Sequence, residues 1–481
     1  MSIAVESGRA SPASGVSREG EKHRSLWLRE VLGEVPETEP PLRGEARTHI
    51  AIIGGGYVGL WTAIRIKEWD PVCEVSIVER DVCGGGASGR NGGIVLSWWA
   101  KIGTLIKLVG QEEGIRLGRA SASAIDEIRQ FCEQHNIDAH FHQSGWLWTA
   151  TTTAQLGAWE GSVRMCEKLG VDAFVRLRPD EIAWRTGSPS HLAGVLETTG
   201  ATVQPAALAR GLRRVALELG VRIYEGSRVI KFNREYPPKI KTDEGQLTAE
   251  KVVIAMNGWA ADLPELRREL VVVSSDMVAT APIPERLIRI GWTGGECITD
   301  SQQMVDYYRT TRDGRIAFGK GGWGIALGGR IGLEFDRSPS RANDVKADLH
   351  RVYPMLADVP LEDDWSGPVD RSVSGIPIFG RLGGRDHLLY GVGWSGNGVG
   401  PSVIGGKILA SLALGLKNEW SQTALVDQEK GRFPPDPVRY IGAHVVREAV
   451  RRKERAEARG QSPNRLAVML SKLAPAGLED H

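Results

Sequence analysis

The stretch HIAIIGGGYVGLWTAIRIKEWDPVCEVSIVERDVCGGGASGRNGG, from His49 to Gly93, decides the fold of this chain. Its glycines fall in two groups, one beginning at Gly54 and the other at Gly84. Glycine loses more conformational freedom on folding than any other residue, so such groups mark sharp turns or a close approach of backbone to a ligand. Two of them so close together predict that the chain wraps a ligand at this point.

The first glycine group lies on a predicted strand-to-helix turn, because THIAII is a short apolar run and YVGLWTAIRIKEW has helical apolar spacing. In Gly54-x-Gly56-x-x-Gly59, the glycines allow a tight turn, the approach of a pyrophosphate and close helix packing. The next predicted strand ends at Glu79, 20 residues beyond Gly59, where a carboxylate can bind ribose hydroxyls. This arrangement predicts a dinucleotide site at a helix N-terminus.

The second group, GGGASGRNGG at 84–93, has no role in a nicotinamide site, which needs the first loop only. The two loops together resemble those of the FAD-dependent amine and amino-acid oxidases, the D-amino-acid-oxidase superfamily, in its branch similar to γ-glutamylputrescine oxidoreductases. In that family the second loop covers the ribityl chain and pyrophosphate and reaches the flavin ring. The resemblance implies FAD as the cofactor, held noncovalently, because no cysteine or histidine stands where covalent relatives attach the ring.

Three further segments match the family in its order, so that the resemblance covers about residues 45 to 425. The segments ATVQPAALARGLRRVALELGVRIYEGSRVIKF and KVVIAMNGWA wrap the adenine end in family members, and GVGWSGNGVG faces the flavin ring. The helix after GVGWSGNGVG points its N-terminus at the pyrimidine end, where its dipole stabilises negative charge. The predicted FAD-binding residues are Gly54, Gly56, Tyr57, Val58, Gly59, Glu79, Arg80, Gly86, Ala87, Ser88, Arg90, Asn91, Gly92, Gly93, Val229, Asn257, Gly258, Gly393, Ser395, Gly396, Asn397, Gly398 and Val399.

We therefore expect an α/β fold, with a discontinuous Rossmann-like FAD-binding domain of the glutathione-reductase type and an antiparallel-sheet α+β substrate domain. VDYYRTTRDGRIAFGKGG predicts a hairpin of the second domain, with Asp313-Gly314 as its turn. The expected ranges are 1–45 for an N-terminal leader that is disordered or on the surface, 46–115, 185–265 and 365–425 for the FAD-binding domain, 116–184 and 266–364 for the substrate domain, and 426–481 for a C-terminal helical tail.

The resemblance implies hydride transfer to FAD from the carbon next to an amine nitrogen, followed by hydrolysis of the imine, with the cofactor performing the difficult step. The acceptor that reoxidises the flavin is O2 or another oxidant. The family mapping adds Tyr307 to the predicted pocket, and a lysine near the flavin would favour reduction of O2 and attract an anionic substrate. The predicted catalytic residues are Lys320, Tyr308, Arg371 and Trp394.

One departure from the family concerns the substrate. Simple amino-acid oxidases carry an arginine for the substrate carboxylate where this chain has Val369, which disfavours glycine and ordinary α-amino acids. The closer resemblance is to aminophosphonate oxidoreductases, through ASGRNGG, SSDMV, YYR, GKGG, SGNGV and the tail GRFPPDPVRYIGAHVVREAVRRKERAE. Arg90, Lys320 and Arg371 could meet a phosphonate or a carboxylate equally well. Oxidation of a secondary amine or N-methyl amino acid in biosynthesis, and a non-catalytic flavin-binding role, stay open.

Composition and residue spacing argue against nucleic acid, metal ions and membranes as partners. The formal net charge of +1 offers no electrostatic footprint for nucleic acid. The five cysteines contain no CxxC pair, and His140-x-His142 lacks a third ligand, so neither disulfides nor a metal site are expected. Lys101 and Lys107 interrupt the longest apolar run, so no membrane span is expected and a cytoplasmic location is favoured. The basic segment 440–459 is expected to dock on the body or on a partner, and the oligomeric state stays open.

Overall fold

The computed structural model describes residues 23–33, 36–428 and 431–474. Most of its strands form two eight-stranded sheets, and a two-stranded sheet of β3 and β7 lies beside them. The strands are β1 (Gly44–Ile53), β2 (Val75–Val78), β3 (Ile94–Val95), β4 (Trp146–Ala150), β5 (Phe174–Leu177), β6 (Ala193–Glu197), β7 (Ala201–Thr202), β8 (Arg222–Tyr224), β9 (Val229–Phe232), β10 (Lys239–Thr242), β11 (Gly245–Ile254), β12 (Val271–Thr280), β13 (Cys297–Thr299), β14 (Asp306–Thr310), β15 (Ile316–Ile325), β16 (Leu361–Arg371), β17 (Ile378–Arg381) and β18 (Leu388–Val392). The helices are α1 (Leu26–Leu32), α2 (Tyr57–Trp69), α3 (Ile102–Val109), α4 (Gln111–Gln134), α5 (Glu160–Lys168), α6 (Pro179–Thr186), α7 (Pro205–Glu218), α8 (Pro284–Ile290), α9 (Pro339–Val352), α10 (Pro401–Leu414), α11 (Val438–Ala458) and α12 (Arg465–Ser471).

The first sheet has the strand order β17, β18, β11, β1, β2, β8; β10 also pairs with β11, and β9 pairs with β10. The pairs β11/β18, β1/β11, β1/β2 and β2/β8 are parallel, as expected of the predicted Rossmann-like domain. The end of β1 and all of β2 are buried, as expected of central strands covered on both faces. Helices α2, α4, α7 and α10 contribute to the hydrophobic core on one face of this sheet.

The second sheet has the strand order β16, β12, β15, β14, β13, β4, β6, β5. All of its pairs are antiparallel except β13/β4, which agrees with the predicted second layer. The hairpin of β14 and β15 forms at the predicted turn, where Gly314 has φ +80°. Glycine adopts this positive φ without strain, which explains why the Asp-Gly pair predicts the position of the turn.

The structure departs from the expected division of the chain into domains at three elements. Helix α4 was assigned to the substrate domain, but its apolar side packs into the core beneath the first sheet. Strand β6 was assigned to the FAD-binding domain, but it pairs with β4 and β5 in the second sheet. The expected boundary at residue 365 falls inside β16, which pairs with β12 along its whole length. Sequence periodicity identifies an element but does not specify the sheet that it joins.

The second half of the expected leader is part of the fold, whereas residues 1–22 lie outside the described residues. Helix α1 buries Trp27 and Leu28 in a cluster with Trp365. The expectation of a surface or disordered leader is therefore wrong for α1, because its apolar side chains have a core to enter. Helix α11 lies against the body through a cluster of Met304, Trp323 and Val450, and α12 packs against α11. In the three described stretches we find no helix with the length and apolarity needed to span a bilayer.

Candidate active site

A cavity of about 1100 Å³ lies between the two sheets. It is lined by both glycine groups, by the loop after β18, and by one face of the second sheet. The predicted FAD-binding residues in this lining are Gly54, Gly56, Tyr57, Val58, Glu79, Arg80, Gly86, Ala87, Ser88, Arg90, Asn91, Gly92, Val229, Asn257, Ser395, Gly396, Asn397, Gly398 and Val399. The four remaining predicted residues lie behind the lining and shape the backbone around the cavity: Gly59, Gly93, Gly258 and Gly393.

The first glycine loop is held in shape by close backbone contacts. Gly54 has φ +112°, and a Cβ on Gly59 would lie 2.0 Å from the Gly54 carbonyl oxygen. Helix α2 can therefore start directly against β1 only if this residue has no side chain. The Glu79 carboxylate accepts hydrogen bonds from the backbone N–H groups of Gly55 (2.8 Å) and Asp81 (2.9 Å), which fixes it at the mouth of the loop. Burial raises the pKa of Glu79, and these two donors partly offset that effect.

The second glycine loop touches the first. The Ser88 hydroxyl oxygen accepts a hydrogen bond from the backbone N–H of Tyr57, at the start of α2, over 2.9 Å. Asn91 stabilises its own loop, since its Nδ2 donates to the Ala87 and Ser88 carbonyls and its Oδ1 accepts from the Gly93 N–H. The two loops thus form one continuous cradle around a helix N-terminus, which is suited to an anionic ligand.

Arg90 was expected to contact the ligand, but its guanidinium binds other groups of the protein. Its guanidinium is buried, donates to the main-chain carbonyls of His23 (2.6 Å) and Ser366 (3.1 Å), and pairs with Asp336 at 3.2 Å. Burial lowers the pKa of Arg90, and Asp336 opposes that change. Arg90 therefore ties the second glycine loop to β16 and to the segment before α1, and its role in binding a substrate anion is not supported by this geometry.

The residues present fit FAD. The cavity extends from the two glycine loops to Arg80 and Trp259, where the guanidinium carbon stands 4.3 Å from the centre of the indole ring. The indole N–H of Trp259 is buried in the lining and finds no acceptor among the described residues. A buried donor of this kind needs a partner, and the oxygen-rich chain of a dinucleotide supplies acceptors. Trp259 was not predicted, because an isolated tryptophan carries no motif.

Asp370 is a second site residue that the sequence did not indicate. Its carboxylate accepts hydrogen bonds from the backbone N–H groups of Gly393 (2.6 Å) and Trp394 (3.1 Å) and from Asn257 Nδ2 (2.9 Å). Its main-chain carbonyl accepts from the N–H of Ser395, a residue with φ +55°. A non-glycine residue in this conformation is uncommon and concentrates at functional sites. Asp370 thus joins β16, the predicted adenine segment and the predicted flavin loop.

The ionisation of Asp370 makes stability depend on pH. Burial raises its pKa to about 7, with backbone donors acting against that shift. The unfolded value is about 3.9, so between about pH 4 and pH 7 the folded state binds more protons than the unfolded state. The free energy of unfolding must then fall as pH rises through this window. In Asp370→Asn we expect a flatter dependence in denaturant titrations from pH 4 to pH 8, with a difference of at most about 4 kcal/mol.

The exposed Asp172 provides the control for this prediction. Asp172→Asn makes the same chemical change at an exposed position and should keep the slope of the wild-type protein. Parallel curves for Asp370→Asn and the wild type would show that Asp370 does not titrate in this range.

Two of the predicted catalytic residues line the cavity, and two do not. Arg371 and Trp394 are in the lining, although the Trp394 ring also packs edge-on against Phe379 at 5.8 Å. Tyr308 faces the other side of β14, where its hydroxyl is 2.6 Å from His191 Nε2. Lys320 faces the other side of β15. Successive side chains of a strand point to opposite faces, so the neighbouring Tyr307, and not Tyr308, faces the cavity.

Lys320 belongs to a buried ion cluster beneath the sheet. Its Nζ is 2.8 Å from Asp306 Oδ1, 3.2 Å from Asp348 Oδ2 and 3.0 Å from Gln302 Oε1. Burial alone would lower the pKa of Lys320, but the carboxylates of Asp306 and Asp348 raise it above its usual value. The ammonium is therefore fully charged and neutralised within the protein. The expected catalytic role of Lys320 is corrected to a structural one.

Tyr307 contacts the second glycine loop from the second sheet. A Cβ on Gly92 would lie 2.9 Å from its ring, and its hydroxyl is 2.7 Å from Ser275 Oγ.

Among the described residues, no group of three or more His, Cys, Asp or Glu side chains is arranged to hold a metal ion. His142 instead lies 2.6 Å from the Ser144 hydroxyl.

Comparisons with known proteins identify the family of the chain. The family described as "DAO: FAD dependent oxidoreductase" matches residues 49–412. The γ-glutamylputrescine oxidoreductase of Escherichia coli strain K12 is 29% identical over 76% of this chain and 83% of its own length. The probable oxidoreductase OrdL of Rhizobium meliloti strain 1021 is 30% identical over 82% of this chain and 89% of its own. The crystal structure of glycine oxidase from Geobacillus kaustophilus has the same fold, with a TM-score of 0.63 and 20% identity over 77% of this chain and 96% of that one. The chain belongs to the DAO family of FAD-dependent oxidoreductases, and it is an FAD-dependent amine oxidase or dehydrogenase.

Proposed function

We propose that the protein oxidises the C–N bond of a small anionic amine of the aminophosphonate class and that O2 reoxidises its flavin. The observation that carries this proposal is the position of Arg371 in the cavity lining, two residues along β16 from Val369. Residues two apart on a strand share a face and lie about 7 Å apart. The cationic group is therefore displaced from the place where simple amino-acid oxidases bind a carboxylate.

This displacement favours a substrate whose anion lies further from the reacting carbon than in an α-amino acid. Val369 stands near the predicted flavin loop, since its Cγ1 would be 3.9 Å from a Cβ on Gly396. Arg371 is the half-buried cation beyond it, and desolvation lowers its pKa while the guanidinium stays charged. Arginine presents a planar fork of donors that matches phosphonate or carboxylate oxygens.

The chemistry divides between the cofactor and the protein. When bound, FAD supplies the two-electron acceptor for the carbon–hydrogen bond next to nitrogen. The substrate loses a hydride from that carbon and a proton from its nitrogen, and a C=N bond forms. Water then adds to the carbon and the nitrogen leaves as ammonia, which gives a carbonyl product. O2 takes up the two electrons with two protons and becomes hydrogen peroxide.

Residues of the cavity wall hold and orient the substrate. Arg371 binds the anionic group, while Tyr307 and Val369 give the cavity an apolar wall that limits water around the reacting carbon. A neutral amine is required for hydride loss, and an apolar wall disfavours the ammonium form. The relative whose name refers to γ-glutamylputrescine supports an amine substrate with a remote anionic group.

Anaerobic bleaching of the flavin tests this proposal. The purified protein is mixed with aminophosphonates, polyamine derivatives and N-methyl amino acids, and the loss of oxidised flavin absorbance is followed. We expect 2-aminoethylphosphonate to reduce the flavin faster than the other members and to yield peroxide when air is admitted. Preferential reduction by an N-methyl amino acid would establish the alternative of a secondary-amine oxidase. A flavin that stays oxidised with every amine would indicate a binding protein without catalytic function.

A further inference from the structure

Gly321 belongs to the cavity wall and lies inside a strand. It is part of β15, between β12 and β14 in the second sheet, and it is partly exposed where it lines the cavity. Glycine weakens the interior of a strand, and there it often marks a bulge, a bend or the close approach of another group. One of these causes is expected to account for glycine at this position.

The backbone of Gly321 does not require glycine. Its φ angle lies outside the left-handed region, and its N–H donates a hydrogen bond of 3.2 Å to the Val305 carbonyl. The irregular pairing of β15 with β12 lies between Gly321 and Ile325, and it contains Gly322, whose φ is +90°. The irregularity therefore explains Gly322, whereas alanine could adopt the conformation of Gly321.

The packing of the protein does not require glycine at this position either. A Cβ on Gly321 would meet one atom of the described residues within 4 Å, Ser275 Oγ at 3.9 Å, which is an ordinary contact distance. By contrast, a Cβ on Gly92, which also lines the cavity, would lie 2.9 Å from the Tyr307 ring. The approach of a bound molecule is the cause that is left for Gly321.

A side chain at residue 321 would point into the cavity. Gly321 pairs directly with Ser275 of β12, which is partly exposed and lines the cavity. Directly paired residues of neighbouring strands place their side chains on the same face. Gly319 lies two residues earlier on this face, and a Cβ there would lie 2.2 Å from the Tyr307 ring. Tyr307 therefore covers Gly319 and leaves Gly321 open to a ligand.

Gly321 lies between the two residues of the apolar wall, Tyr307 and Val369. Gly321, Ser275 and Gly367 form one row across β15, β12 and β16. The next row on one side contains Tyr307, and the next row on the other side contains Val369. The Ser275 hydroxyl, beside Gly321 in this row, has bonding capacity beyond its contact with Tyr307 and can bind an amine nitrogen. An amine bound there places its N-substituent next to Gly321.

We propose that Gly321 sets the size of the group that the substrate can carry on the nitrogen of the C–N bond being oxidised. The bound amine directs that group into the space beside Gly321, which a side chain at residue 321 would occupy. The inference rests on the proposed function, because it requires the substrate to lie against the wall formed by Tyr307 and Val369. It assigns a specificity-determining role to a residue without a functional group of its own.

Gly321→Ala tests the proposal, because alanine fits this backbone and adds one methyl group to the cavity wall. The probes are 2-aminoethylphosphonate and its N-methyl and N-ethyl derivatives, and the second-order rate constant of anaerobic flavin reduction is measured for each. In the wild type the three constants should lie within about tenfold of one another. In Gly321→Ala the constant of the parent amine should stay within about threefold of the wild type, whereas that of the N-ethyl derivative should fall about 10 to 200-fold.

Two controls separate a change in substrate size from a general disturbance. Gly161→Ala makes the same substitution at an exposed position, where a Cβ would meet nothing within 4 Å, and should leave all three rate constants unchanged. The dissociation constant of FAD should be the same in Gly321→Ala and the wild type. A large loss of FAD affinity in Gly321→Ala would show that the cofactor occupies this space, and the inference would be overturned.

The outcomes separate the two proposals. If Gly321→Ala keeps the wild-type ratio of the N-ethyl to the parent rate constant, or if the wild type oxidises the parent amine alone, the inference is overturned and the proposed function stands. If sarcosine reduces the wild-type flavin and no aminophosphonate does, the proposed function fails, and the same ratio for N-ethylglycine and sarcosine decides the role of Gly321. If no amine reduces the flavin, both proposals fail.

Discussion

Replacing Arg371 with methionine should lower kcat/KM for 2-aminoethylphosphonate by about 10² to 10³-fold. The residue is half-buried and lines the cavity, so water screens its charge on a ligand anion less than it would at the surface. Loss of the cation leaves the anionic group of the substrate buried without a partner, which costs more than the loss of an exposed contact. Steady-state assays of peroxide release measure the effect.

Two comparisons show whether this loss reflects recognition of the anion. A neutral amine of the same length should lose far less activity in Arg371→Met, because it never used the charge. Arg312→Met removes an exposed arginine whose side chain pairs with Asp138 at the surface and should leave kcat/KM unchanged. An equal loss of activity towards the anionic and the neutral amine would contradict a role for Arg371 in binding the anion.

Replacing Lys320 with methionine should lower the free energy of unfolding by about 3–5 kcal/mol. The methionine would leave Asp306 and Asp348 without the ammonium that now lies 2.8 Å and 3.2 Å from them. Asp306 is fully buried, and Arg351 at 2.8 Å would be its remaining cation. Denaturant titration at neutral pH measures the loss, because the raised pKa keeps Lys320 charged well above that range.

The kinetic result for this variant is equally informative. Lys320 faces away from the cavity, so in folded Lys320→Met the rate of flavin reoxidation by O2 should stay close to that of the wild type. Lys168→Met, at the exposed end of α5, should change neither stability nor rate. A large drop in the reoxidation rate at unchanged stability would restore the catalytic role that the sequence suggested.

Much of the FAD side of the site could be predicted because its signals are local. Gly54, Gly56 and Gly59 follow a strand and open a helix, and the contacts around them leave no room for a Cβ. The link between the two loops was also foreseeable from their common family pattern. Its physical form, a hydrogen bond from the Tyr57 N–H to the Ser88 hydroxyl, needed the structure.

The substrate side could not be predicted to the same depth. Tyr307 and Tyr308 are adjacent and of one type, so only the register of β14 decides which of them faces the cavity. In the same way, only the register of β15 decides which face of the sheet Lys320 occupies. Asp370 and Trp259 act through partners far away in the sequence, and no motif marks them.

The most direct test of the central claim, that the two glycine loops form a single cradle for FAD, is titration of the apoprotein with FAD. Gly56 has backbone angles that alanine can adopt, so Gly56→Ala changes only the space between the loops, where a Cβ would lie 2.9 Å from Ser88 Oγ. We expect the wild type and the control Gly161→Ala, whose Cβ would meet nothing within 4 Å, to bind one FAD with equal affinity. Gly56→Ala should bind about 10 to 100-fold more weakly. Equal affinity of all three proteins for FAD would contradict the cradle.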